Sequence, residues 1–133
     1  MPGGIAESVL LSDGAQRLRS VYQGKLAEEQ IEANVRRLSE PGALTAVLNW
    51  YRALDLETRI GNVAVPTLFL WGDQDLACGK QAAMSTAQYV SAPYRFELLK
   101  GYSHWLLEEA PGQIAEFILS HIEAHPLHER ERG

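Results

Sequence analysis

The sequence predicts an α/β fold in which helices come first and a βαβα unit follows. Residues 1–60 show only helical spacing of apolar side chains, whereas from about residue 62 the spacing alternates between strand and helix. The length of 133 residues suits one modest domain, and a hydrophobic content of 46% is ordinary for a globular protein. We expect a helical segment at 1–60, a βαβα part at 61–124 and a polar tail at 125–133.

Helices are the only elements expected before residue 60. One follows a cap at Ser12-Asp13-Gly14, and the next runs from Leu26 to Leu38, with acidic residues early and basic residues late, as the helix dipole favours. Glu40-Pro41-Gly42 ends that helix, because the residue before a proline is biased away from helix. A further helix is expected from Ala43 to about Leu54. Its broad apolar stripe consists of Leu44, Val47, Leu48, Tyr51 and Leu54.

Two strands, each followed by a helix, are expected after residue 62. Residues 66–71 form a continuous apolar run, which is typical of a strand buried on both faces. Residues 79–90 favour a helix with a small-residue face, and residues 94–99 favour the second strand. Pro111 then opens the last helix, where its missing N–H costs little. Because two parallel strands leave open sheet edges, we expect this unit to be marginally stable by itself.

Charge and cysteine content exclude several classes of partner. The net charge of −5, with scattered basic residues, argues against a nucleic-acid partner. No apolar run approaches the roughly 20 residues of a membrane span, so no membrane partner is expected. The single cysteine, Cys78, excludes an internal disulfide and is compatible with the reducing cytoplasm. We therefore expect a cytoplasmic protein.

An acid and a histidine follow the two predicted strands. Asp75 comes just after the first strand and His104 just after the second, and the carboxyl ends of parallel strands meet at one edge of a sheet. A carboxylate that binds one imidazole nitrogen fixes the tautomer of a general base. We favour Asp75 as the acid because it lies further out on its loop than Asp73, which we assign to the turn. Taken alone, His104 would be better explained as an exposed or structurally hydrogen-bonded loop histidine, and Asp75 is what favours the functional interpretation.

The other candidate residues each have a plainer interpretation. Tyr51 is either a core tyrosine or a proton donor that points into a cavity. Cys78 is better explained as inert packing than as a nucleophile. His121, His125 and His128 have no organised acidic or thiol partner, so we expect no metal site. The chain contains neither a Gly-x-Ser-x-Gly nor a Gly-x-Asp-x-Gly nucleophile elbow, and it has no Gly-rich phosphate loop, so we expect no cofactor.

These motifs resemble those of a known superfamily. Residues 65–75 resemble the seventh strand and acid loop of α/β-hydrolase-fold enzymes, and residues 101–111 resemble their histidine loop and final helix. Residues 48–52 are similar to the cap segment of soluble epoxide hydrolases in which a tyrosine protonates the epoxide oxygen. The resemblance covers most of residues 40–124 and is strongest to the branch of epoxide hydrolases and haloalkane dehalogenases.

The resemblance implies a role for each candidate. Asp75 would orient His104, His104 would activate the water that hydrolyses an ester formed on an aspartate nucleophile, and Tyr51 would be the cap proton donor. The earlier strands, oxyanion loop, elbow and first cap segment of the family have no counterpart in the sequence, and Tyr22 is a poor match to a second cap tyrosine. We therefore expect the C-terminal portion of a larger hydrolase, inactive alone, with residues 1–60 as the end of a cap.

Alternative functions stay open at this point. A serine nucleophile would make the whole enzyme an esterase that uses an oxyanion hole, whereas an aspartate favours epoxides or carbon–halogen bonds. The expected partner is accordingly a small-molecule epoxide, ester or halide in the full-length enzyme. A non-catalytic binding or interaction module is the other alternative. In either case an oligomer, or a missing N-terminal part, would cover the sheet edge.

Overall fold

The computed structural model describes residues 4–55 and 61–126 of the chain. The chain divides into two compact units, Met1–Arg59 and Ile60–Gly133, which we call the helical unit and the βα unit. The polar tail was predicted to start at residue 125. Most of it, including His128, lies outside the described residues.

The helical unit contains α1 (Ile5–Ser20), α2 (Glu28–Leu38) and α3 (Ala43–Arg52). Helix α1 is broken in its middle, because the backbone of Ser12 is extended and that of Asp13 to Ala15 has positive φ angles of 51 to 67°. The cap predicted at Ser12-Asp13-Gly14 coincides with this break. The structure adds two helical turns before the break that the sequence pattern did not indicate.

Helix α2 follows the predicted charge order and buries Ile31 and Val35. It begins two residues later than expected, because Ala27 is extended (φ −63°, ψ 145°) and acts as the N-cap. The side chain of Gln30 accepts a hydrogen bond from the Ala27 N–H at 3.1 Å. This bond satisfies a backbone donor that the helix itself leaves free.

Glu7 and Arg52 join α1 to α3 through a two-pronged ion pair. Arg52 Nη1 donates to Glu7 Oε1 at 2.9 Å and Arg52 Nη2 donates to Glu7 Oε2 at 3.0 Å, and Nη1 also donates to Asn49 Oδ1 at 2.9 Å. The Glu7 side chain is only 7% exposed. Chiefly because of the hydrogen bond from Arg52, the pKa of Glu7 falls from 4.5 to about 2. Glu7 is therefore a carboxylate at neutral pH, and its charge is matched by a guanidinium.

The apolar stripe predicted on α3 is mostly exposed. Only Leu44 is buried, while Val47, Tyr51 and Leu54 lie at the surface. The pattern correctly identified an apolar face, but burial also requires a partner to cover that face.

The βα unit is organised around two parallel strands, β1 (Thr67–Gly72) and β2 (Tyr94–Leu99), which pair in register from Thr67 opposite Tyr94 to Gly72 opposite Leu99. They are connected through α4 (Lys80–Ser85) and a 3₁₀ turn (Thr86–Tyr89). Both strands match the predicted positions to within one residue.

The helix predicted at residues 79–90 is shorter than expected because the chain turns to make strand-like contacts at its end. Val90 is extended and forms an isolated parallel bridge with Val63. The Val63 N–H donates to Tyr89 O at 2.7 Å, and the Ser91 N–H donates to Val63 O at 2.9 Å. These bonds need extended backbone, so the helix has to end before Val90.

The last two helices are α5 (Leu106–Glu109) and α6 (Pro111–Ala124), with Pro111 in the first turn of α6 as predicted. A small buried core joins them to β2. It consists of Leu99, Ala110 and Ile114, with Leu70, Tyr102, Leu106 and Phe117 packed against it. Leu99 ends β2 and Ala110 follows α5, so the segment that carries His104 is anchored in this core at both of its ends.

Within residues 4–55 and 61–126, no helix is long and apolar enough to cross a membrane.

The ion pair between Glu7 and Arg52 predicts a pH dependence for the helical unit. A carboxyl whose pKa is lowered by folding adds stability above its unfolded value near 4.5, and this contribution is lost as the pH falls towards about 2. We expect the amide protection of α1 and α3 to be higher in the native chain than in Glu7→Gln at pH 6 to 7, and the difference to shrink below pH 4.5. Hydrogen exchange measures it.

Glu29→Gln is the matched control, because Glu29 lies exposed on α2. Equal amide protection of α1 and α3 in the native chain and in Glu7→Gln at pH 7 would contradict a stabilising role of the Glu7–Arg52 ion pair.

Candidate active site

Two loops meet at the carboxyl edge of the parallel strands. The acid loop, residues 73–79, follows β1, and the histidine loop, residues 100–105, follows β2. Because β1 and β2 are parallel neighbours, both loops leave the sheet at the same edge. This edge is where the sequence predicted that an acid and a histidine would meet.

Asp75 shapes the acid loop with one of its two carboxylate oxygens. Asp75 Oδ1 accepts hydrogen bonds from the Ala77 N–H at 2.7 Å and the Cys78 N–H at 2.8 Å. The loop is closed from the strand side by Trp71, whose indole N–H donates to Cys78 O at 2.9 Å. The carboxylate is thereby fixed in orientation, and Oδ2 remains available for the other loop.

His104 forms a hydrogen bond with that second oxygen, Oδ2. Its Nδ1 lies 3.0 Å from Asp75 Oδ2. An ionised carboxylate can only accept, so Nδ1 carries the shared proton, and in the neutral ring Nε2 keeps its lone pair. The Asp75 side chain is 7% exposed and that of His104 is 47% exposed. The acid is therefore buried beneath a ring that water and small molecules can reach.

The hydrogen bonds around Asp75 keep it ionised. Burial alone would raise the pKa of Asp75, but this effect is outweighed by the Cys78 N–H, then the His104 ring, and then the Ala77 N–H. The net result is a pKa below the ordinary aspartate value. A carboxylate that stays charged at neutral pH can stabilise the imidazolium that forms when His104 takes up a proton.

Gly72 allows the two loops to approach each other. A Cβ at this position would lie 2.3 Å from Tyr102 O and 2.6 Å from Ser103 O, which is closer than any side chain can come to a backbone oxygen. The neighbouring Gln74 N–H donates to Tyr102 O at 3.0 Å. Glycine at residue 72 is thus a steric requirement of the site.

Asp73 links the acid loop to the histidine loop. Its backbone N–H donates to Leu99 O at 3.1 Å, and its Oδ1 accepts from the Gly101 N–H at 2.7 Å. Gly101 has a φ of +84°, a conformation that favours glycine. The sequence interpretation placed Asp73 in its own turn, whereas this hydrogen bond crosses to the other loop. Of the two aspartates, only Asp75 has a hydrogen bond to the His104 ring among the described contacts.

Hydrogen bonds of Ser103 and Glu109 fix the backbone on both sides of His104. Neither residue was identified from the sequence as part of the site. The Ser103 N–H and hydroxyl donate to Glu109 Oε2 at 2.8 and 2.6 Å. The Trp105 N–H donates to Ser103 Oγ at 3.3 Å. Ser103 is 1% exposed. The acidic pair Glu108-Glu109 was the only signal in the sequence, and nothing local indicates that the serine is buried.

The remaining candidates are Tyr51, Cys78, His121 and His125. Tyr51 lies on α3 in the helical unit, is 64% exposed, and stacks edge-on with Trp50 at a ring-centroid distance of 5.4 Å. Cys78 is a half-buried free thiol. Its backbone N–H and C=O, rather than its side chain, make the hydrogen bonds that shape the acid loop. The rings of His121 and His125 are 4.7 Å apart. Across residues 4–55 and 61–126, no group of three His, Cys, Asp or Glu side chains is arranged to hold a metal ion.

Comparison with known proteins finds epoxide hydrolases among the relatives of this chain. No protein-family model matches the chain. The chain is 37% identical over 110 residues to epoxide hydrolase 3 of Xenopus tropicalis, a match that covers 81% of this chain and 30% of that protein. It is 34% identical over 96 residues to human epoxide hydrolase 4, covering 71% and 26%. The chain thus spans less than a third of the length of these curated relatives.

A solved structure has the same fold. Epoxide hydrolase A from Mycobacterium thermoresistibile matches 96% of this chain with a TM-score of 0.75, and the match covers 51% of that protein. The two sequences are 20% identical. At this low identity, the similarity shows a shared fold and nothing more.

Substituting Asp75 tests the assignment of the hydrogen bond. In Asp75→Asn the amide oxygen can still accept from Ala77 and Cys78, but the amide NH₂ now faces His104 and favours an acceptor at Nδ1. We expect the dominant neutral tautomer of His104 to change from Nδ1–H to Nε2–H. The ¹⁵N chemical shifts of the ring measure this change.

Asp73→Asn is the matched control, since its amide oxygen can still accept from Gly101 and it does not contact the ring. If Asp73→Asn reversed the tautomer and Asp75→Asn did not, Asp73 would be the orienting acid.

Proposed function

Because the chain belongs to the α/β-hydrolase-fold superfamily, in its epoxide hydrolase-like branch, we propose that it carries the acid, the base and a cap proton donor of an epoxide hydrolase. Its two parallel strands with flanking helices match a C-terminal portion of that fold, which confirms the predicted fold class. The observation that carries the proposal is the hydrogen bond between His104 Nδ1 and Asp75 Oδ2.

His104 is proposed to activate water against an ester intermediate. In this step Nε2 removes a proton from water, and the resulting hydroxide attacks the carbonyl carbon of an ester formed between an aspartate nucleophile and the opened epoxide. The tetrahedral intermediate collapses, its acyl–oxygen bond breaks, and the proton held by His104 passes to the departing oxygen, which leaves a diol and the regenerated carboxylic acid. Asp75 stabilises the imidazolium while His104 holds the proton.

Tyr51 is proposed to protonate the epoxide oxygen as the ring opens. Its phenol lies on the exposed face of α3, in the segment that resembles the cap of soluble epoxide hydrolases. A proton donor matters for this substrate class because ring opening creates an alkoxide, which is strongly basic. A departing halide is stable as an anion, so Tyr51 favours epoxides over alkyl halides.

The nucleophile is proposed to lie outside these 133 residues. The sequence contains no elbow motif that could present a serine or an aspartate. We propose that an N-terminal part supplies the nucleophile and covers the open sheet edge, that the substrate is a small-molecule epoxide, and that the 133-residue chain is inactive alone. The cytoplasmic location predicted from the single cysteine, Cys78, belongs to the same proposal.

A chimera tests the role of His104. The part of Xenopus tropicalis epoxide hydrolase 3 that precedes its aligned region would be fused to this chain and assayed with styrene oxide. We expect diol formation, and we expect His104→Ala to slow it by about 10² to 10⁴-fold, since a general base is removed. The His104→Ala chimera should also accumulate the covalent ester, which intact-protein mass spectrometry detects.

Two outcomes would contradict the proposal. One is a His104→Ala chimera that turns over styrene oxide as fast as its parent. The other is epoxide hydrolysis by the purified 133-residue chain that His104→Ala abolishes, because the chain would then need no nucleophile from elsewhere. His121→Ala, a change of histidine in α6 of the βα unit, is the matched control.

Substituting Tyr51 separates ring opening from ester hydrolysis. In the chimera, Tyr51→Phe should slow ester formation by about 10²-fold or more, because the alkoxide then leaves without a proton donor. Hydrolysis of the ester already formed should be unchanged. Pre-steady-state mass spectrometry distinguishes the two steps, with Tyr89→Phe, an exposed tyrosine of the βα unit, as the control. A slower second step with an unchanged first step would assign Tyr51 a different role.

A further inference from the structure

One carboxylate oxygen binds Ser103 directly and is linked to Trp105 through the Ser103 hydroxyl, so it is connected to both neighbours of His104 in the chain. Glu109 Oε2 accepts the Ser103 N–H at 2.8 Å and the Ser103 hydroxyl at 2.6 Å. The Ser103 hydroxyl oxygen in turn accepts the Trp105 N–H at 3.3 Å. The backbone that carries His104 is therefore hydrogen-bonded directly before and directly after this residue.

The hydroxyl of Ser103 is buried and hydrogen-bonded within the protein. The residue is 1% exposed, and its hydrogen-bonding capacity is met by Glu109 and by Trp105. Hydrogen bonds to an ionised acceptor are shorter and stronger than those between neutral groups, and the 2.6 Å contact is of that kind. Burial of an alcohol is costly without such partners, so the serine and the carboxylate act as one unit.

Ser103 is also confined on its carbonyl side. Ser103 O and Tyr102 O lie against Gly72, where a Cβ would be within 2.6 Å of both. The acid loop thus limits the position of Ser103 from one direction, and Glu109 limits it from another. Ser103 satisfies both constraints in the structure, and in that position Nδ1 of His104 lies 3.0 Å from Asp75 Oδ2.

We propose that Glu109 is a positioning residue that acts through Ser103 to keep the His104 ring on Asp75. Glu109 is the last residue of α5 and has no described contact with the ring itself. An effect of Glu109 on catalysis depends on the proposed hydrolase function, whereas an effect of Glu109 on the position of the His104 ring does not. The two ideas can therefore fail separately.

The test uses the 133-residue chain labelled with ¹⁵N at histidine. Glu109→Ala removes the acceptor, and we expect the single Nδ1–H tautomer of His104 to give way to a mixture, with the exchange of the Nδ1 proton with water accelerated at least fivefold. Glu109→Gln should restore the native spectrum, because its amide oxygen can accept from both the Ser103 N–H and hydroxyl. Glu108→Ala changes the exposed neighbouring carboxylate and is the matched control.

Ser103→Ala shows whether Glu109 acts through the serine. This variant keeps the Ser103 N–H bond and loses the two hydroxyl bonds, so we expect an intermediate rate of proton exchange. If the serine is the route, Ser103→Ala combined with Glu109→Ala should be no faster than Glu109→Ala alone, which is the non-additivity expected of residues in one network.

A native tautomer and exchange rate in a folded Glu109→Ala chain would overturn the proposal, and so would equal changes in Glu108→Ala. If the Glu109→Ala chain does not fold, the spectra of Glu109→Gln and Ser103→Ala test the proposal instead. A native spectrum in Glu109→Gln with a perturbed one in Ser103→Ala supports the proposal, and any other pair of results rejects it. None of these readouts involves an epoxide, so an inactive chimera leaves the outcome unaffected.

Discussion

The backbone of Gly72 lies so close to the carbonyl groups of Tyr102 and Ser103 that there is no space between them for a side chain. This contact sets the separation of the two loops, and the hydrogen bonds between them follow from it. The Gln74 N–H reaches Tyr102 O, and the Asp73 carboxylate reaches the Gly101 N–H, only at that separation. The acid and the histidine are therefore aligned by backbone packing, and their own hydrogen bond uses an alignment that already exists.

The strands and the acid–histidine pair could be predicted because their signals are local. An apolar run that ends in a polar loop marks each strand, and the geometry of parallel strands puts the two loops at one edge. The brace formed by Ser103 and Glu109 could not be predicted, since it depends on a serine being buried by the tertiary fold. The early end of α4 has the same origin, because Val90 is drawn into a bridge with Val63, 27 residues earlier in the chain. Helical spacing likewise marks the apolar face of α3 without saying what covers it.

The two units contribute different parts of the proposed chemistry. The βα unit holds His104, whose side chain is half exposed, and Asp75, whose charge is maintained against the effect of burial by the Cys78 N–H, the His104 ring and the Ala77 N–H. The helical unit carries Tyr51 on a face that is exposed in the described residues, and its helices α1 and α3 are joined by the ion pair of the buried Glu7 with Arg52. In the proposed mechanism, proton transfer from water and proton delivery to an alkoxide would fall to different units of the chain.

The two oxygens of Asp75 have separate duties, since Oδ1 binds the Ala77 and Cys78 amides while Oδ2 binds His104. The shape of the acid loop and the chemistry of the acid consequently depend on the same side chain. This has a consequence for how such a site can evolve. A carboxylate that moved to another strand could take over the imidazole, but the old loop would still need Asp75 or an equivalent acceptor. Relocating the acid would therefore leave residue 75 constrained to a side chain with an acceptor oxygen for these two amides, which an asparagine also has.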